Sequence, residues 1–137
     1  MSRYPDIYVS DLLSNEELRS AIEMLPDVLC AMLGDAIVTA VYGLGSNLHV
    51  DLWHLPMKVG TRWFDRFVQD SLRQEIVRPG DSDFGVTVGD QRLELVFCHE
   101  GHIHLGGTDH ELQRALLAHA PFDQLRSGGS PSTGPDA

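Results

Sequence analysis

The run Ala36-Ile37-Val38-Thr39-Ala40-Val41-Tyr42 constrains the fold most, because it sits between two stretches of helical spacing. Its β-branched content predicts a strand. Before it, Ser14-Asn15-Glu16-Glu17 forms a capping box, in which Ser14 and Glu17 each satisfy the other's backbone N–H. Leu18, Ala21, Ile22 and Leu25 then recur at helical intervals. Pro26 is expected to end or kink this helix near Leu25 and to open a short second helix over Val28–Leu33, closed by Gly34. After the strand, Thr61 is expected to cap a long helix carrying Phe64, Phe67, Val68, Leu72 and Ile76 on one face, with Arg78-Pro79-Gly80 as its stop.

Between these landmarks, Gly43-Leu44-Gly45-Ser46-Asn47 reads as a turn. Leu48, Val50 and Leu52 then alternate with polar residues as a half-buried strand would. Phe84–Val88 and Arg92–His99 predict a hairpin, followed by a short strand over His102–Leu105 and a last helix from Thr108 or Asp109 to about His119. Helix, strands, helix, strands, helix in that order implies an α+β domain: a mostly antiparallel sheet of about five strands with two or three helices on one face. Residues 1–123 are read as one globular domain and residues 124–137, rich in Gly, Ser and Pro, as a flexible tail.

The chain has 137 residues and a formal net charge of −10. The charge is uneven. Residues 1–40 hold seven acids against two bases, residues 41–80 four against five, and residues 81–123 eight against two. Such a field repels phosphate backbones and anionic lipid, so direct nucleic-acid or membrane binding is disfavoured and a basic protein partner favoured. No run approaches the roughly 18 apolar residues of a membrane span, and Met1–Asp6 lacks the profile of a secretory signal. A cytoplasmic setting is therefore expected, with Cys30 and Cys98 reduced.

The sharpest cluster of chemistry-bearing residues is Cys98-His99-Glu100-Gly101-His102-Ile103-His104. On an unbroken strand, alternation would put Cys98, Glu100, His102 and His104 on one face. His102 and His104 would then form a ligand pair for zinc, with Glu100 and His110 as candidates to complete the site. Neither an HExxH motif nor paired CxxC motifs accompany them. His49 and Asp51 with Cys98 have the residue types of a nucleophilic set, but nothing in the spacing brings them together. Gly43-Leu44-Gly45 lacks the third glycine and the following helix of a nucleotide loop.

Without a complete catalytic signature, the expected function is a non-enzymatic acidic binding module. An intracellular inhibitor of the immunity-protein type would fit, occluding a basic partner with Asp81, Asp83, Glu94, Glu100, Asp109 and Glu111. Trp53 and Trp63 read first as core and, if either faces outward, as interface anchors. The alternatives are a metal-binding protein or metal-dependent enzyme built on His102 and His104, and a homodimerising adaptor. No cofactor other than zinc is suggested.

Overall fold

The computed structural model describes residues 7–127. Its elements run β1 (Tyr8–Val9), α1 (Asn15–Leu33), β2 (Ile37–Tyr42), a 3-10 turn (Val50–Leu52), β3 (Met57–Gly60), α2 (Thr61–Arg73), β4 (Phe84–Val88), β5 (Leu93–Phe97), β6 (Ile103–Gly106), α3 (His110–Leu117), a second 3-10 turn (Phe122–Gln124) and β7 (Arg126–Ser127). The strands form one sheet in the order β3-β2-β4-β5-β6-β1-β7. Every adjacent pair is antiparallel. The architecture is α+β, with seven strands in place of about five.

The two extra strands are two residues each and join at the far edge, where Tyr8 pairs with both Leu105 and Ser127. Neither has a period long enough to read. β7 lies beyond residue 123, and Leu125 just before it is buried. Residues 128–137, the rest of the expected tail, lie outside the described residues, as do Met1–Asp6.

Helix α1 passes straight through Pro26. Proline in a helix interior forfeits one hydrogen bond and crowds the preceding turn, at about 3 kcal/mol. The apolar stripe that begins at Leu18 continues unbroken through Leu25, Val28 and Leu29, all buried. Burying each such side chain returns about 1.5–3 kcal/mol, so the stripe outweighs the break. The capping box at Ser14 forms as expected, with Ser14 N–H donating to Glu17 at 2.8 Å and Glu17 N–H to Ser14 Oγ at 3.1 Å. Gly34 closes the helix at φ +65°, its N–H donating to the Cys30 carbonyl.

The strand expected over Leu48–Trp53 does not exist. Val50 and Leu52 are exposed and lie in the 3-10 turn, where His49 Nδ1 accepts from Asp51 N–H. The partner of β2 is instead Met57–Gly60, beyond Pro56. Alternation misled here because a strand is fixed by the neighbour it pairs with, and Leu48–Leu52 finds none. Thr61 is also not a cap. It is the first helical residue, and its hydroxyl donates to the Gly34 carbonyl at 2.6 Å while accepting from Ala36 N–H at 3.0 Å. The α2 N-terminus is thereby clamped to the end of α1.

Alternation along the central strands separates two faces. Val38, Ala40, Tyr42, Phe84, Val86, Val88, Leu93, Leu95, Phe97, Ile103 and Leu105 are buried beneath the helices. Against them pack Leu18, Ile22, Leu25 and Leu29 from α1, Phe64, Val68 and Leu72 from α2, and Leu116 from α3. A row of rings crosses this core, Phe67 to Tyr42 (5.8 Å), Tyr42 to Phe84 (6.2 Å), Phe84 to Phe97 (6.2 Å) and Phe97 to Phe122 (6.4 Å). Among the described residues the opposite face carries no α-helix, since α1, α2 and α3 all contribute to the one core.

Candidate functional site

The helix-free face is built by the residues that alternate away from the core. Register places Thr39, Thr87 and Glu94 in one cross-strand row with Lys58 at its edge. A second row runs Val41, Gly85, Val96, His104 and Val9. Gly85 has no side chain, and so the second row dips between Val41 and Val96. The dip is part of a shallow depression of about 330 Å³, which extends to His54 and Asp83 at one end and to Thr87 and Glu94 at the other.

The Asp83 end is tightly constructed. Gly43 N–H donates to the Asp83 carbonyl and Asp83 N–H to the Leu44 carbonyl, so the β2 turn grips the start of β4. A Cβ on Gly45, whose φ is +84°, would lie 2.3 Å from the Asp81 carbonyl oxygen; the turn therefore requires glycine. One carboxylate oxygen of Asp83 accepts both His99 N–H (2.7 Å) and His99 Nδ1–H (2.8 Å). The bond to Asp83 raises the His99 pKa above the ordinary 6.5.

The segment Cys98–His104 is not an unbroken strand. Cys98 N–H donates to the His102 carbonyl and Gly101 N–H to the Cys98 carbonyl, so His99, Glu100 and Gly101 form the turn between β5 and β6. Gly101 at φ +96° makes that turn. His102 and His104 do share a side, with ring centroids 6.2 Å apart. His102 Nδ1–H donates to the Ser10 carbonyl at 3.0 Å. Partial burial lowers the His104 pKa, the nearby His102 lowers it further, and Asp83 and Glu100 oppose both.

The proposed zinc quartet of His102, His104, Glu100 and His110 is not assembled. Among the described residues no three His, Cys, Asp or Glu side chains come together to hold a metal ion. The turn takes Glu100 off the strand, and His110 belongs to the first turn of α3. His49 and Asp51 lie on the 3-10 turn and face each other at 3.4 Å, while Cys98 ends β5.

The six acids divide by role. Asp83 and Glu94 line the depression. Glu100 is exposed in the adjoining hairpin turn and acts on both His99 and His104. Asp109 is structurally occupied. It accepts from Glu111 and Leu112 N–H as the α3 cap, both at 3.1 Å, and from Arg92 Nη2 at 2.8 Å. Its pKa is lowered, chiefly by Arg92. Asp81 is exposed in the turn before β4, and Glu111 is exposed on α3. Glu94 has no hydrogen-bond or ion-pair partner among the described residues.

Neither tryptophan is core. Trp53 is half-buried and donates from Nε1 to the Ser46 carbonyl at 3.1 Å. Trp63 is 60% exposed, with the Arg62 guanidinium 5.4 Å from its ring. The apolar stripe of α2 runs through Phe64, Val68 and Leu72, and Trp63 falls just outside it. The depression itself was not foreseen from sequence. Its one signal was Gly85 inside an otherwise alternating strand, a position where close approach of another group is a standing explanation.

Comparison of this chain with family models, curated proteins and solved structures finds no match. No helix among the described residues is long and apolar enough to cross a membrane.

Proposed function

We propose that this chain is a non-enzymatic binding module that receives a basic protein partner on the helix-free face of its sheet. It would act as an intracellular inhibitor does, by occlusion. The observation that carries the reading is the composition of that face: an apolar strip, Val41-Gly85-Val96, flanked by Asp83 and by Glu94, which has no side-chain partner among the described residues. An apolar centre with charged surroundings is how protein interfaces combine burial with orientation. The net charge of −10 adds long-range attraction for a basic surface.

Of the six acids first considered, Asp83, Glu94 and Glu100 support this reading. Asp109 does not, since α3 and Arg92 already engage its carboxylate. Capture of partners from the native host by the full chain, alongside Val96→Arg, tests the proposal. Val96 is 37% exposed on the open face, so the variant adds bulk and positive charge there without entering the core. A basic partner retained by the wild type in low salt, weakened in moderate salt and lost by the variant is the expected result. A partner retained equally by the variant would place the binding surface elsewhere.

A second reading has its own support. Ile37 (62% exposed) and Trp63 lie close to Gly60, at the end of the uncovered edge strand β3. Self-association through that corner would make the chain a homodimer. Light scattering of the wild type against Trp63→Ala distinguishes it: a strict monomer at all concentrations rules it out.

A further inference from the structure

We infer that the depression over Gly85 is a socket for one arginine side chain of the partner, its aliphatic stem lying on Gly85 between Val41 and Val96 and its guanidinium taken by Glu94. The inference rests on the reading of the helix-free face as the docking surface, and it specifies what that surface recognises.

Three features of the depression select this occupant. Its floor is backbone: Gly85 leaves a flat peptide surface between two valines, and a planar, weakly hydrated guanidinium or its methylene stem packs on such a surface better than a compact ammonium does. Its charge is negative and available, because Glu94 is unpaired among the described residues. Thr87 and Gly106 are the register partners of Glu94 on either side, and the carboxylate reaches over Gly106, where a Cβ would lie 4.0 Å from its Oε1. Gly85 and Thr87 are same-face neighbours, roughly 6.6 Å apart along the strand. A side chain whose stem crosses Gly85 can therefore bring its head to the Thr87–Glu94 row. At the opposite end, Asp83 adds negative potential, although His99 holds one of its oxygens.

The socket can be filled without disturbing the fold. A Cβ on Gly85 would meet the Leu95 carbonyl oxygen at 3.7 Å and Val41 Cβ at 3.9 Å, ordinary contact distances. Gly85 also does not occupy the left-handed region. Gly85→Ala is thus a conservative plug, and Glu94→Gln removes the charge while keeping the shape.

The test uses the full chain labelled with nitrogen-15 and titrated with N-acetyl-arginine methylamide, with the citrulline and lysine analogues in parallel. The expected result is saturable shifts centred on the amides of Gly85, Thr87, Glu94 and Val96. Binding should be at least tenfold weaker for citrulline, several-fold weaker for lysine, and at least fivefold weaker for Gly85→Ala and for Glu94→Gln. Equal response to citrulline or lysine, shifts spread over the acidic surface, or unchanged binding by Gly85→Ala would each overturn the socket. Partner capture that is lost with Val96→Arg, combined with no arginine response, would sink the socket and leave the docking face standing. The converse pattern, arginine binding with a partner indifferent to Val96→Arg, would sink the docking face instead.

Discussion

A single oxygen of Asp83 accepts both the backbone N–H and the ring Nδ1–H of His99, at 2.7 and 2.8 Å. This joins the start of β4 to the turn between β5 and β6, and so fixes one end of the depression. Because the bond raises the His99 pKa, its stabilisation depends on pH. A raised pKa contributes stability that is fully present below the unfolded value near 6.5 and lost as pH climbs through the raised one. The stability difference between wild type and Asp83→Asn should therefore be larger at pH 5.5 than at pH 8.5, measured by urea unfolding. Some difference should persist at high pH, where the backbone N–H still donates. A pH-independent difference would mean that the imidazole contributes nothing.

His104 behaves in the opposite sense. Burial lowers its pKa first and His102 lowers it further. The folded chain then binds this proton less readily than the unfolded chain, so this group weakens the fold as pH falls below about 6.5. In His102→Gln the His104 pKa should rise, because one of the two lowering influences is removed while Asp83 and Glu100 remain. Proton NMR titration of the His104 ring reads this directly. An unchanged pKa would remove the coupling between the two rings.

How far this fold was legible follows from where each signal resides. The capping box at Ser14, the stripe of α1, the face of α2 as far as Leu72 and the β4–β5 hairpin are local patterns, and each is present. Helix α2 nevertheless ends at Arg73, short of the expected Arg78-Pro79-Gly80 stop, because Glu75 turns to φ +58° and leaves Ile76 beyond the helix. What failed was non-local. Leu48–Leu52 has a strand's alternation but no partner, whereas Met57–Gly60 has a poor pattern and pairs with β2 across four residues. Tyr8–Val9 and Arg126–Ser127 exist only because they meet at the edge of β6. For the candidate site, residue types were visible and their grouping was not. Asp83 and Glu94 face one depression, Asp109 is absorbed by α3, and the turn at Glu100-Gly101 separates the proposed zinc ligands.

Pro26 offers a check on the account of α1. In Pro26→Ala a backbone donor is restored in the helix interior, against the loss of a small buried ring. The net expectation is stabilisation by about 1 kcal/mol in chemical denaturation. A destabilised variant would show that the ring's packing outweighs the missing hydrogen bond.

Thr61→Val should be costly although the two side chains are nearly isosteric. The Thr61 hydroxyl serves the Gly34 carbonyl and Ala36 N–H at once. Removing it leaves two backbone groups to find water at a partly buried junction, a loss of about 1–3 kcal/mol by the same measurement. A neutral outcome would show that water replaces the clamp.

The most direct test of the central claim is the affinity of the captured basic partner for wild type and for Val96→Arg, measured at low and at moderate salt. At least a tenfold loss in the variant, and a wild-type affinity that falls as salt rises, are expected. Equal affinities for the two proteins would contradict the claim, because Val96 stands at the centre of the face that is meant to bind.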